Sequence, residues 1–170
     1  MRIWCAPRDG MGGSAAVYAL LDHAFRSVYG GILPEINKTA NGKPFFPARP
    51  DVHFSLSHTK THVLCAVSGS PVGCDIESPR MVSQRALRFF SSQEELALFD
   101  PLDLWVLKES YVKLFGQTFA SIRNLRFSLD SSGKVIVPDA SVTSALYHTG
   151  NCSAAVCCLG GIPSDLIELI

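Results

Sequence analysis

Asp75 and Glu77 stand two residues apart in Val72-Gly73-Cys74-Asp75-Ile76-Glu77. On a strand, that spacing turns both carboxylates to one face and Cys74 and Ile76 to the other, toward a core. Two arrangements relieve the repulsion between such close charges: water solvates a strand end, or a cation lies between them. Hard oxygen ligands of this kind suit magnesium, which typically takes one or two carboxylates together with phosphate oxygens. A second charged group lies in Trp105-Val106-Leu107-Lys108-Glu109-Ser110-Tyr111-Val112-Lys113. Leu104, Leu107, Tyr111, Leu114 and Phe115 recur there at three- and four-residue spacing, one apolar stripe of a helix turning about 100° per residue. Lys108 projects into that stripe, while Glu109 and Lys113, one turn apart, line its edge beyond Trp105. Charges beside apolar surface require partners. The simpler alternative is that Lys108 snorkels and Glu109–Lys113 is a surface pair worth a few tenths of a kcal/mol.

Phe54-Ser55-Leu56-Ser57-His58-Thr59 ends a strand with a hydroxyl and an imidazole, both able to donate to a phosphate. Adjacent residues seldom aim a serine oxygen at an imidazole, and no Gly-x-Ser-x-Gly elbow is present, so anion binding ranks above hydrolase chemistry. A polar cap on a turn is the structural alternative. Ser91-Ser92-Gln93-Glu94-Glu95 reads as a capping box twice over, Ser91 with Glu94 and Ser92 with Glu95. Glu94 is also a candidate to reach a metal through water.

The elements that must position these groups follow from punctuation and periodicity. Residues 2–6 predict a first strand. Ser14 is the expected cap of a helix that runs to Gly30-Gly31. Asn41-Gly42-Lys43-Pro44 lies in a loop before strands at 53–56, 62–68 and 72–77, the last two joined by an expected Gly69-Ser70-Pro71 hairpin. Helical segments follow at about 83–90, 92–99 and 101–115, with Asp100 as cap and Pro101 in the first turn. Strands at 125–129, 134–137, 142–148 and 153–159 complete the reading. Helix followed by antiparallel meander occurs twice, predicting an α+β fold of two similar halves, 1–78 and 79–170, packed as one globular unit. With 170 residues and 47% hydrophobic content the chain is long enough for a sizeable core.

Fifteen basic residues against fifteen acidic ones leave no net field to gather nucleic acid or an anionic membrane, so phosphate recognition must be local. Six cysteines show no C-x-x-C or metal-finger spacing and read as small buried hydrophobes. With no signal-like N-terminus and no apolar run near the ~18 residues of a membrane span, the expected setting is a reducing cytoplasm.

Taken in order, Gly42-Lys43-Pro44, Phe54 to His58, Val72 to Glu77, Phe89 to Glu94 and Trp105 to Lys113 resemble the motifs of 4′-phosphopantetheinyl transferases of the surfactin-synthetase-activating type. The last strand, Ala154–Cys158, is similar too. The resemblance implies a pseudo-dimer of two α+β halves with the site at their junction. It implies transfer of the phosphopantetheine arm of coenzyme A to a serine of an acyl or peptidyl carrier protein, with release of 3′,5′-ADP. Asp75, Glu77 and Glu109 would hold magnesium, Glu109 would act as base, and Lys113 would neutralise the departing phosphate. Lys43, Ser57 and His58 would contact the nucleotide end, with Lys108 structural or a secondary phosphate contact. Coenzyme A and a carrier protein are the expected partners of a monomer that binds neither nucleic acid nor membrane.

Two departures accompany the resemblance. The N-terminal region is shorter than in the family, with Arg26 the only fixed cation between Ser14 and Ile36, and the Glu95–Trp105 segment is shortened. A non-catalytic relative that binds coenzyme A or a carrier protein is the competing expectation.

Overall fold

A central strand has only two edges, and that constraint decides the topology of this chain. The computed structural model describes residues 1–162; the last residues of the expected second half, 163–170, lie outside them. Strand β1 (Arg2–Pro7) leads into helix α1 (Gly13–Tyr29), a two-residue ladder of β2 (Asn37–Lys38) and β3 (Pro44–Phe45), and strands β4 (His53–His58), β5 (His62–Ser68) and β6 (Val72–Glu77). Helices α2 (Gln84–Phe90), α3 (Gln93–Leu96) and α4 (Pro101–Phe115) come next, followed by a tight helical segment, Phe119–Asn124. Ladder strands β7 (Ser128–Leu129) and β8 (Val135–Ile136) precede β9 (Thr143–Thr149) and β10 (Cys152–Cys158). The fold is α+β, as expected.

Both larger sheets are antiparallel, ordered β1-β5-β4 and β6-β10-β9. The expected Gly69-Ser70-Pro71 hairpin does not form. Strand β5 is flanked on both edges, by β1 and β4, so β6 leaves it and pairs with β10, Asp75 opposite Ala155. A side chain then joins the neighbouring edges of the two sheets: the Cys74 backbone N–H donates to Ser55 Oγ at 2.9 Å.

Helix α1 buries Ala16, Leu20, Leu21, Ala24 and Phe25 against Trp4, Phe54 and Cys65 of the first sheet. Helix α4 buries Leu107, Tyr111 and Leu114 near Ala155 and Cys157 of the second. Between the sheets, Cys5, Leu64 and Ala66 form one core with Cys74, Ile76, Ala154 and Val156. All six cysteines are buried free thiols, in keeping with their reading as small hydrophobes. No helix among the described residues is long and apolar enough to cross a membrane.

Local chemistry explains the helix ends. The Leu102 N–H donates to Asp100 Oδ1 at 2.9 Å, Pro101 opens α4, and Gly116, at φ 60°, closes it in the left-handed region. Helix α1 starts one residue before the expected Ser14 cap, with Gly12 at the cap position and no side-chain cap bond. The His58 ring lies where a side chain at residue 13 would project, its atoms 2.7–2.9 Å from an ideal Cβ, so a glycine there is what lets the ring rest on the helix.

Gly73 is the contact on which the site depends. A Cβ at this position would fall 2.0 Å from the Ser110 carbonyl oxygen and 2.3 Å from the Leu114 nitrogen, both backbone atoms of α4. Strand β6 therefore lies directly on α4, and the alternation of the strand turns Asp75 and Glu77 toward the same helix. Gly73→Ala is expected to push the two apart, lowering stability by about 1–3 kcal/mol or more. Urea unfolding checks this, and an unchanged midpoint would show that β6 and α4 are not held so closely.

Candidate active site

Lys113, in the last turn of α4, reaches across the seam between the two sheets. Its ammonium donates to Asp75 Oδ1 at 2.7 Å, to Ser57 Oγ at 3.1 Å and to the Leu56 carbonyl at 3.5 Å. Ser57 in turn donates to Asp75 Oδ1 at 2.6 Å. Burial opposes the Lys113 charge, but the Asp75 carboxylate outweighs it and holds the ammonium above its ordinary range. Asp75 spends one oxygen on both partners, leaving Oδ2 without a hydrogen bond among the described residues.

The Glu109 carboxylate, one turn before Lys113, makes no hydrogen bond or ion pair with any described residue. Burial, then the neighbouring Asp75 and Glu77 charges, push its carboxyl up to about 7, against a partial offset from Lys113. Three carboxylates thus share one electrostatic environment. Glu77, at the end of β6, is engaged by Arg80 at 3.2 Å.

Lys43 comes from the loop before β4. Its ammonium donates to the Leu114 carbonyl at 2.5 Å and the Val72 carbonyl at 3.2 Å, and burial lowers it to about 8. It lines a cavity of about 210 Å³ with Lys113, Ser55 and Gln117. Beyond Ser57, the opposite end of β4 opens on a second cavity, of about 440 Å³, lined by His58, Lys60, Glu77, Arg80 and Arg8. Strand β4 therefore runs from one cavity to the other, past the Asp75–Lys113 pair.

The structure thus brings Lys43, Ser57, His58, Asp75, Glu77, Glu109 and Lys113 to one seam. Lys108 does not join them. It is fully buried, its ammonium held by Glu95 at 2.7 Å and by the carbonyls of Phe90 at 2.5 Å and Leu125 at 3.0 Å, so no donor remains for a phosphate. Turned about 100° from its neighbour Glu109, it points into the core rather than toward the seam. Glu94 is exposed on α3, held below the usual carboxylate range by Ser92, away from the three coupled carboxylates.

Sequence reasoning missed Glu95 as the buried counter-ion of Lys108. The capping box that it forms with Ser92 was legible, and a lysine in an apolar stripe already demanded an anion. Arg8 and Lys60, which line the second cavity, were not singled out in the sequence because loop cations carry no periodic signal.

Fit for a divalent cation rests on the donor set. Among the described residues no three His, Cys, Asp or Glu side chains are grouped closely enough to hold an ion. The free Asp75 oxygen, the unbonded Glu109 carboxylate and their mutual repulsion are nonetheless hard oxygen donors short of positive charge, which suits magnesium in kind.

Comparison with known proteins shows the family of the chain. The family model described as the 4′-phosphopantetheinyl transferase superfamily matches residues 71–157, beginning at β6 and ending in β10. Similar curated proteins include 4′-phosphopantetheinyl transferase Sfp of Bacillus subtilis (strain 168), 36% identical over 115 residues, covering 62% of this chain and 49% of that protein. Another is 4′-phosphopantetheinyl transferase psf-1 of Bacillus pumilus, 33% identical over 135 residues, covering 71% of this chain and 58% of its own length. The HetI transferase of Nostoc sp. (strain PCC 7120 / SAG 25.82 / UTEX 2576) is 29% identical over 159 residues, covering 79% and 67% respectively. The chain thus spans about half the length of the Bacillus subtilis relative. Since the family match takes in half of the sequence and contains the strand with Asp75 and Glu77 and the helix with Glu109 and Lys113, the chain belongs to the 4′-phosphopantetheinyl transferase superfamily.

Proposed function

We propose that this protein transfers the 4′-phosphopantetheine arm of coenzyme A to a serine of an acyl or peptidyl carrier protein. The observation that carries this is the seam itself: three coupled carboxylates and an ammonium between two cavities, one lined by Lys43 and the other by His58. Glu109 takes the proton of the carrier serine. Its unbonded carboxylate, raised to about 7, is matched to proton abstraction near neutral pH. The serine oxygen forms a bond to the phosphorus that carries the pantetheine arm, and the bond from that phosphorus to the 3′,5′-ADP leaving group breaks. Lys113 is placed to neutralise charge that develops on the departing phosphate, a contribution larger in the transition state than in the ground state. Asp75, through Ser57, keeps that ammonium in place.

Magnesium, held by Asp75, Glu77 and Glu109, would supply charge neutralisation for the pyrophosphate. Lys43, Ser57 and His58 would hold the nucleotide end, with residues 1–78 and 79–170 acting as halves of one catalytic unit in the cytoplasm.

Incubation with coenzyme A, magnesium and apo carrier proteins should add one phosphopantetheine mass to a carrier serine. Asp75→Ala, which frees Lys113 and removes one oxygen ligand, should lower the rate by at least about 10²-fold. No modification of fatty-acid, polyketide or peptide carriers, with coenzyme A binding that persists in Glu109→Ala, would instead identify a non-catalytic binding protein.

A further inference from the structure

Strand β6 is an edge strand: its sheet is ordered β6-β10-β9, and among the described residues no strand pairs with its other side. That free edge lies against β4 in the buried seam, where backbone groups need the partners that an exposed edge would take from water. Side chains supply them. The Val72 carbonyl accepts from the Lys43 ammonium at 3.2 Å, and the Cys74 N–H donates to Ser55 Oγ at 2.9 Å. One residue further on, the Asp75 carboxylate accepts from Ser57 at 2.6 Å. Ser55 and Ser57 stand two apart on β4 and are both buried, so they share the face turned to β6. On its other face β6 lies on α4 at Gly73, with no room for a Cβ between them. Contact with α4 sets how deep β6 lies, and the edge bonds set how far along β4 it stands. Lys43 and Ser57 already have a part in the transfer reading above, on which this inference rests. Ser55 has none.

We propose that Ser55 is a positioning residue for Asp75. Its hydroxyl holds the Cys74 N–H and so fixes the height of β6 on β4 one residue from the carboxylate. That carboxylate tolerates little movement. Oδ1 meets Ser57 at 2.6 Å and Lys113 at 2.7 Å at once, leaving Oδ2 for a cation. A slip of β6 by about 1 Å would take Oδ1 out of hydrogen-bond range of one of them. Ser55 acts through the strand and touches no reacting atom. The groups that would hold the nucleotide end stand on β4 or in the loop before it, so loss of the bond misplaces the carboxylates of β6 and leaves those groups where they are.

Ser55→Thr and Ser55→Val test this on the intact protein, because the two side chains have nearly the same shape and only the first keeps the hydroxyl. The cavity of about 210 Å³ that Ser55 lines gives the added methyl room. Relative to Ser55→Thr, Ser55→Val is expected to lower kcat about 10–100-fold and to leave KM for coenzyme A within about twofold. Binding of Mn²⁺, read by electron paramagnetic resonance without donor or carrier, should weaken about 10–100-fold in the same comparison, as when a group that orients a metal ligand is lost. Calorimetric binding of 3′,5′-ADP without metal should be the same in both. Equal kcat and equal Mn²⁺ affinity in the two variants would overturn the proposal. So would an equal loss of 3′,5′-ADP binding in Ser55→Val, which would make Ser55 a general support of the fold. Ser55→Thr keeps the bond and should retain the rate and Mn²⁺ affinity of the parent; a fall in both would overturn the proposal even where Ser55→Val fails to fold. If no protein of the series transfers the arm, yet Mn²⁺ binding separates Ser55→Thr from Ser55→Val, the positioning role stands and the transfer reading fails.

Discussion

Glu109→Gln is expected to lower phosphopantetheine transfer about 10²–10⁴-fold and, at pH 8 without divalent cation, to make the protein more stable than its parent. Both effects come from one observation. Glu109 is half-buried, unbonded and near two other carboxylates, so its proton is held up to about 7 against 4.5 for an ordinary glutamate. The sign follows from proton counts. Between these two values the folded state binds more protons than the unfolded one, so stability is complete below pH 4.5 and falls as pH rises toward 7. At 1.36 kcal/mol per pKa unit the full shift sets an upper bound of about 3 kcal/mol, and solvent screening of a half-buried group lowers the loss to about 2 kcal/mol. Glutamine is uncharged at every pH and nearly isosteric, so it removes the penalty and the base together. Urea unfolding at pH 5 and pH 8 checks the first effect, and the carrier-modification rate checks the second. Parallel pH slopes for the two proteins would show that Glu109 is not strained by its neighbours. Magnesium should shrink the parent's penalty and leave the variant unchanged, because a cation among the carboxylates relieves the repulsion that raises Glu109.

Lys108→Met is expected to cost about 3–5 kcal/mol of stability. Lys108 and Glu95 are 0% and 2% exposed, and every donor of the ammonium is used. Glu95 in turn accepts the backbone N–H groups of Ser92 and Phe127, each at 2.9 Å. The pair therefore joins the end of α2, the start of α3, the middle of α4 and the segment before β7. Removing the lysine leaves a buried carboxylate with only backbone partners, together with two carbonyls that have lost their donor. A second change, Glu95→Gln, removes the stranded charge while keeping an acceptor for the backbone. The double variant should be less destabilised than the sum of the single ones by more than about 1 kcal/mol. Additive losses would mean that the two side chains contribute through packing alone.

The helix with Lys108, Glu109 and Lys113 was legible residue by residue, because apolar spacing, an Asp cap and Pro in the first turn all point to the same 101–115 span. Strands β5 and β6 were equally plain, since β-branched runs bounded by turn residues are local signals. The pairing between them was not. Gly69-Ser70-Pro71 reads as a hairpin from either side, and only the occupation of both β5 edges by β1 and β4 excludes it. Glu95 shows the same division. Its capping role was written in the sequence, but its meeting with Lys108 across 13 residues depends on how α3 turns back onto α4.

By itself the sequence determined the α+β class, the faces of the elements and the set of chemical groups, because periodicity and motif order are properties of neighbouring residues. Only the tertiary structure decided which charges meet. Gly73 lets β6 lie on α4, so Asp75 faces Lys113 and Glu109, while a rotation of about 100° along the same helix sends Lys108 into the core. Arg8 and Lys60, 52 positions apart, line one cavity because the loop after β1 and the turn after β4 fold onto the same end of a sheet. Such meetings are long-range, and their energies come from burial and charge that no local pattern encodes.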